Sequence, residues 1–489
     1  MSRQLNVLFV SSEVEPFSKT GGLADVSGSL PKALNLLGHD VRVATPLYGF
    51  IPNRLKARTE DLQDIQVPVG SNIYLASVKS VSGSETPAHT YFIDNQILFN
   101  RPGIYGDPAT QQDYGDNDER FIFFSRGVLE FLQRLSWRPD IIHCNDWQTG
   151  LIAPILKTTL AGNPFFSQTK TVFTIHNIAY QGTFSQESFW KTFLPPELLF
   201  NESVSSFGHL NCMKAGLVFA DSVTTVSRRY ALEIQTEEFG YGLHHVAQMR
   251  SPNLHGILNG VDYCVWDPSV DTLIPQRYTA ATFANKLENK RSLLAQMNLP
   301  FDESVPLIGI VSRLAHQKGF DLLMQVFEPL VKMGIQLVIL GSGERKYAEF
   351  FSHAERAFPR QFALRLGFDN ALAHLIEAGS DIFLMPSLYE PCGLNQIYSL
   401  RYGTVPIVRA TGGLDDTIEE FQPGSHQGTG FKFAGYDPGQ LLHAVHRAVN
   451  VFRDREQWIA LALNGMKKDY SWEVSARKYV DLYKSLVKE

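Results

Sequence analysis

The chain has 489 residues, 44% of them apolar and 19% charged, with a formal net charge of −6 and four cysteines. That length is more than one hydrophobic core serves comfortably, so two large α/β domains are expected. The ordinary composition excludes a long disordered portion, the net negative charge gives no field for holding DNA or RNA, and no apolar run reaches the roughly 18 residues of a membrane-spanning helix. Cys144, Cys212, Cys264 and Cys392 form no C-x-x-C pair, so no zinc site or disulfide framework is expected and a reducing, cytoplasmic setting fits.

In chain order, residues 5–10 form a short apolar run, too short for a signal-peptide core, that reads as a buried strand. Further strands are expected at 41–45, 141–144, 171–175 and 222–225, then at 307–311, 337–340, 363–366, 382–385 and 405–408. Amphipathic segments lie between them, the pattern of two doubly wound parallel sheets. Asn259-Gly260-Val261-Asp262, followed by Trp266-Asp267-Pro268, interrupts the alternation and marks the junction.

One echo links the halves: Lys19-Thr20-Gly21-Gly22-Leu23-Ala24-Asp25 and Thr411-Gly412-Gly413-Leu414-Asp415-Asp416, each before a helix. Paired glycines admit a ligand close to the backbone, and the helix that follows points N–H groups at it, which suits a diphosphate. For either loop alone, a simple tight turn is an equal reading. Asp146 and His176 follow expected strands, and strand ends of one sheet can converge on one crevice. His143 reads as a local hydrogen-bonding residue. Asp116-Asn117-Asp118 has the D-x-D form of a metal-binding pair but precedes an amphipathic run and reads as a helix cap. Arg313 and Lys318 lie on the loop after residues 307–311, where a guanidinium fork and a mobile ammonium can stabilise a leaving diphosphate. Glu390 lies on the loop after 382–385, placed to accept from sugar hydroxyls or to face positive charge at an anomeric carbon. With Lys19, Arg313 and Lys318 available, no metal or other cofactor is expected.

Together, Lys19 to Asp25, Asn145-Asp146-Trp147-Gln148, Thr174 to Gly182, Ser312 to Gly319, Glu390-Pro391-Cys392-Gly393-Leu394 and Thr411 to Thr417 resemble the bacterial glycogen synthase and plant starch synthase family, in order across the whole chain. The resemblance implies a GT-B fold: two Rossmann-like, doubly wound parallel-sheet domains facing across a cleft. Residues 1–260 would form the acceptor-side domain and 261–474 the donor-side domain, with a C-terminal helix, 475–489, packing back on the first. It implies a retaining glucosyltransferase that moves glucose from ADP-glucose to the non-reducing end of an α-1,4-glucan and releases ADP. A plastid setting follows if an address segment was removed. Lys19, Gly21 and Gly22 would meet the donor's phosphates and glucose, with Arg313 and Lys318 on the distal phosphate. Asp146, His176 and Asn259 would surround the glucose and Glu390 would hold its hydroxyls. Cys392, Gly393 and Leu394 of that loop would also bind the donor, Gly412, Gly413, Leu414 and Thr417 would meet the diphosphate, and Phe368 would stack on adenine. Tyr105, Tyr114 and Trp147 are candidate stacking residues for the acceptor, with Asp146 beside them. Asp415 stands where relatives commonly have alanine, and Tyr398 where a broader class has a second glutamate. The competing readings are a non-catalytic glucan-binding or priming protein of the same fold, and another GT-B glucosyltransferase using UDP-glucose.

Overall fold

The structure is a computed structural model and describes residues 3–56, 60–83, 86 and 88–487. The chain divides into two compact units: residues up to Val226 with Ala231–Gly260 and the stretch from Trp472, and Ser227–Tyr230 with Val261–Ser471.

The first unit is built on nine strands: β1 (Asn6–Val10), β2 (Asp40–Pro46), β3 (Glu60–Val69), β4 (Asn72–Val81), β5 (His89–Asp94), β6 (Ile141–Asn145), β7 (Lys170–Ile175), β8 (Ser222–Thr225) and β9 (Leu254–Gly256). Their order is β9-β8-β7-β6-β1-β2-β5-β4-β3, parallel throughout except for the β3–β4–β5 meander. The central strands are buried along their length because helices cover both faces: Val7 to Val10 are apolar throughout, and in Ile141 to Asn145 the buried polar side chains of His143 and Asn145 are hydrogen-bonded. The meander was not expected from sequence. In β3 the buried residues Ile65, Val67 and Val69 alternate with polar ones, the period-two signature of an outer antiparallel strand, and Pro68 obscures it. The helices that matter for the site are α1 (Gly22–Leu36), α2 (Asn117–Leu132) and α3 (Cys212–Phe219).

The C-terminal helix runs Trp472–Leu486 and packs along α1; residues 488–489 of the expected helix lie outside the described residues. Polar ties fix it. The Tyr483 hydroxyl lies 2.7 Å from His143 Nδ1, and Ser475 Oγ donates to the Leu258 carbonyl at 2.6 Å. His143 is fully buried with its other nitrogen against Thr174 Oγ1, and burial holds its pKa down to about 3. It is a neutral structural rivet, as its sequence context suggests.

The second unit has six parallel strands: β10 (Leu307–Val311), β11 (Gln336–Gly341), β12 (Phe362–Leu366), β13 (Ile382–Met385), β14 (Val405–Arg409) and β15 (Phe431–Phe433), in the order β12-β11-β10-β13-β14-β15. One face is covered by α4 (Phe320–Val331) and, later in the chain, by Pro438–Phe452, through Phe320, Leu323, Phe327, Leu441, Ala444 and Val445. Leu293, Leu294, Leu372 and Ile376 cover the other. Among the described residues, no helix is long and apolar enough to cross a membrane.

Both sheets reverse their strand order once, between β1 and β6 in the first unit and between β10 and β13 in the second. Crevices beyond the carboxyl ends of strands at such points are where open α/β sheets bind ligands.

Candidate active site

In the first unit, β1 leads to the Lys19–Gly22 loop and then to α1. A residue that the sequence reading missed organises this turn. Glu13 is 3% exposed; its Oε1 accepts from Thr20 Oγ1 at 2.7 Å and from the Tyr105 hydroxyl at 2.6 Å, and its Oε2 accepts from the amides of Thr20 and Gly21. The Gly21 amide is therefore engaged by Glu13. A Cβ at Gly21 or Gly22 would meet nothing within 4 Å, so the loop does leave room for a close approach. Lys19 Nζ lies 2.6 Å from Asp25 Oδ1, with the lysine half exposed. A solvated pair of this kind contributes about 0–1 kcal/mol, so an incoming anion displaces Asp25 at little cost.

Across the reversal point, Asp146 follows β6 with φ 55° and ψ −178°, a conformation that L-residues rarely adopt and that concentrates at functional sites. Its Oδ1 accepts from the His176 amide at 2.7 Å, and burial raises its carboxyl to about 7. His176 is held down to about 3 by burial and so is neutral at pH 7. The Asn145 amide nitrogen is committed to the Val10 and His143 carbonyls. Asn145 Oδ1 therefore accepts from His176 Nε2 at 2.9 Å, and Nδ1 is left as the ring's acceptor. Asn259, three residues after β9, is buried with its Oδ1 unbonded; a buried acceptor in that state costs about 1–3 kcal/mol.

The aromatics expected to stack on the acceptor are placed differently. Trp147 is 9% exposed, with Phe121 at 4.9 Å, Phe184 at 5.6 Å and Gly182 packed so closely that a Cβ there would lie 2.2 Å from the indole. Tyr105 spends its hydroxyl on Glu13 and accepts from Ser12 Oγ at 2.9 Å. Tyr114 lies under the Arg101 and Arg120 guanidiniums. Trp147 scaffolds the loop from inside, because so large an apolar surface finds more contact inside than out, while Tyr105 and Tyr114 are half-buried. Asp116 does occupy the N-cap position of α2, but its carboxylate pairs with Arg101 at 2.5 Å and does not cap the helix. Asp118 pairs with Lys191.

In the second unit, the loops after β10 and β13 clasp each other across the reversal point. Lys318 Nζ lies 2.6 Å from Glu390 Oε2, with side-chain exposures of 20% and 9%, and Ser387 Oγ donates to the same carboxylate oxygen at 3.2 Å. The Leu388 amide donates to the Gln317 carbonyl at 2.8 Å, and Gln317 Nε2 to the Tyr389 carbonyl at 3.2 Å. Gly319 has φ 77°, and a Cβ there would lie 2.1 Å from the Pro386 carbonyl oxygen; only glycine allows this approach. Behind the Glu390 loop, the buried Arg409 guanidinium donates to the carbonyls of Ser387, Leu388 and Ala434. Arg313 is exposed on the same loop as Lys318, and Phe368, just past β12, is 91% exposed.

The second T-G-G-L loop heads α6 (Gly412–Thr417); α5 (Asn395–Tyr402) precedes it. The loop differs sharply from the first. The Gly413 amide donates to the Glu390 and Pro391 carbonyls, and the Leu414 amide to the Thr411 carbonyl. A Cβ at Gly412 would lie 2.0 Å from the Glu390 oxygen, and one at Gly413 2.0 Å from that of Cys392. Thr417 Oγ1 donates to the Gly413 carbonyl at 2.6 Å and accepts from Gln396 Nε2, which also bonds the carbonyls of Cys392 and Gly393. Leu394 occupies the N-cap position of α5 without a side-chain cap. The Gly413 and Leu414 amides and the Thr417 hydroxyl are thus engaged within the protein, and Gly412 and Gly413 let one loop lie on the other beside Glu390. Gly413→Ala is expected to cost about 1–3 kcal/mol by overpacking and to lower turnover more than donor affinity, measured by thermal denaturation and steady-state kinetics.

The two departures at this site have simple explanations. Asp415 is neutralised by Lys432 at 2.7 Å. Tyr398 stacks on Trp266 at 4.0 Å, with His374 on the indole's other face at 3.7 Å, so the second-glutamate position holds a packed ring.

Two doubly wound sheets, each with one reversal of strand order, are the architecture of a GT-B glycosyltransferase. Residues 6–249 match the starch synthase catalytic domain and residues 295–463 match glycosyl transferases group 1. The chain is 48% identical to glycogen synthase of Koribacter versatilis over 98% of both chains, and 47% identical to that of Anaeromyxobacter dehalogenans over 99% of this chain and 100% of the other. Its structure resembles the catalytic domain of starch synthase IV from Arabidopsis thaliana bound to ADP and acarbose, with a TM-score of 0.89, 33% identity and full coverage of both chains. Sucrose-phosphate synthase from Thermosynechococcus elongatus, at 17% identity, TM-score 0.59 and 99% of both chains, shares the fold. The chain belongs to the glycogen synthase and starch synthase family.

Proposed function

We propose that the protein transfers glucose from ADP-glucose to the 4-hydroxyl at the non-reducing end of an α-1,4-glucan, with retention of the α configuration, release of ADP and no metal. The observation that carries this reading is the Lys318–Glu390 pair, 2.6 Å apart at the strand-order reversal of the second unit, with Arg313 on the same loop. Lys318 and Arg313 supply fixed positive charge for a departing diphosphate, while Glu390 accepts from the sugar's hydroxyls. Lys19 adds a third cation after trading away Asp25. Neutral His176, the strained Asp146 and the unbonded Asn259 oxygen supply acceptors for glucose hydroxyls. The C1–O bond to phosphate breaks as the acceptor oxygen bonds C1 from the same face, and the departing phosphate oxygen takes the acceptor's proton. The binding of ADP and acarbose by the Arabidopsis relative supports both substrate classes.

The test is incorporation of label from ADP-[¹⁴C]glucose into maltooligosaccharide, with and without EDTA and against UDP-glucose. Lengthening that EDTA leaves intact is the expected result. A strict need for a divalent ion defeats the metal-free mechanism, and glucan binding with no ADP released favours the non-catalytic alternative. Phe368→Ala is expected to remove about 1–3 kcal/mol of base stacking, read as a roughly tenfold or larger rise in donor KM with kcat little changed. An unchanged donor KM removes Phe368 from the adenine site.

A further inference from the structure

We infer that Tyr180 and Tyr241 form the platform on which sugar rings of the glucan acceptor stack, an inference that rests on the glucan reading above. A neutral sugar polymer is held by flat apolar faces with a polar edge, and tyrosine offers both. Of the rings that sequence alone offered for this task, Trp147 is buried, and the half-buried Tyr105 and Tyr114 are engaged by Glu13 and by Arg101 and Arg120. Tyr180 is 57% exposed and Tyr241 44% exposed.

Their placement is constructed. Tyr180 comes four residues after His176, at the end of a tight turn in which Asn177 Oδ1 accepts from the Ala179 amide at 3.1 Å and the Asn177 carbonyl from the Tyr180 amide at 3.2 Å. The next residue, Gln181, joins the two tyrosine loops: its Nε2 donates to the Tyr241 carbonyl at 2.8 Å, and its Oε1 accepts from Asn211 Nδ2 at 2.7 Å. Asn211 is itself fixed as the cap of α3, accepting from the Lys214 amide. One amide side chain therefore ties Tyr241 to the immediate neighbour of Tyr180, and a helix end braces both.

Tyr241 carries a second, independent sign. Its φ is 48°, an outlier for so bulky a residue, of the kind that surrounding structure must enforce and that gathers at ligand clamps. The enforcement is visible in the Gly240 amide bonding the Thr236 carbonyl, the Leu243 amide bonding the Gly240 carbonyl, and the Gln181 bond. A large aromatic held at a costly backbone angle with nearly half its surface in solvent does little for the core. A surface that must receive a ring explains both features. Phe207, 95% exposed at the turn of the hairpin that carries Asn211, serves as a control for ring exposure alone.

The experiment measures kcat, donor KM and acceptor KM with maltoheptaose for Tyr180→Ala, Tyr241→Ala, Tyr180→Phe, Tyr241→Phe and Phe207→Ala. The alanine variants are expected to raise acceptor KM about tenfold each, with donor KM within about twofold of wild type. The phenylalanine variants should recover most of that loss because they keep the ring, and Phe207→Ala should change neither KM. Wild-type elongation combined with unchanged acceptor KM in both alanine variants overturns this inference alone. So does a parallel rise in donor KM that phenylalanine fails to relieve, since that marks a purely structural role. Wild-type protein that elongates no glucan defeats the proposed reaction and this inference with it.

Discussion

Lys318→Ala is expected to lower kcat by about a thousandfold or more. Removing a single neutral hydrogen-bond donor from a preorganised anion site costs roughly 10²–10³ in rate, and Lys318 carries a full charge. Its side chain is only 20% exposed, so water replaces that charge poorly. Arginine should not restore activity, because a planar guanidinium fork does not reproduce the point charge that Nζ places 2.6 Å from Glu390 Oε2. The stability cost should fall below the roughly 3–5 kcal/mol of a fully buried broken pair, because water reaches part of the lysine. Glu390→Gln added to Lys318→Ala removes the stranded carboxylate and should recover stability without recovering turnover. Thermal midpoints and steady-state rates on the single and double variants test this; near wild-type kcat in Lys318→Ala sinks the assignment.

Asp146→Asn is expected to stabilise the protein at pH 8 while reducing kcat/KM by about a hundredfold. Burial holds this carboxyl at about 7, above its ordinary 3.8, so the folded chain binds the proton more tightly than the unfolded one. Its contribution to stability is intact below about pH 4 and declines as pH rises to about 7, by up to a few kcal/mol. Asparagine has no such ionisation and tolerates φ 55° better than most residues. The midpoint difference between variant and wild type should therefore grow from pH 4 to pH 8. Activity runs the other way. If the ionised carboxylate serves the sugar, wild-type kcat/KM climbs through pH 7 and the variant loses that limb. A pH-independent midpoint difference, or an acid limb retained in the variant, refutes the role.

The parallel core was legible because strands buried on both faces tend to be continuously apolar: 307–311 and 382–385 coincide with β10 and β13. The β3–β4 pair was not, because a half-exposed strand mixes polar residues into its pattern and Pro68 reads as a breaker. At the site, charged residues at strand ends were readable and their partners were not. Glu13 resembles any acidic residue in a loop until Thr20, Gly21 and Tyr105, as far as 92 positions away, are seen converging on it. The two T-G-G-L loops show the limit most directly: identical letters give an open turn at Gly21 and a backbone-to-backbone contact at Gly413. Which environment a glycine serves is decided by what lies opposite, and a local motif does not contain that.

The bond between Tyr483 and His143 closes a span of 340 positions, and it has a bearing on synthesis. A nascent chain that has emerged only as far as Gly260 still lacks the helix that covers α1 and supplies the partner for a buried imidazole, so the first lobe cannot mature in the usual order of domains on the ribosome. Shortening the carboxyl end by about twenty residues should accordingly harm the lobe made first, and the damage should show as lost solubility before any defect in nucleotide binding.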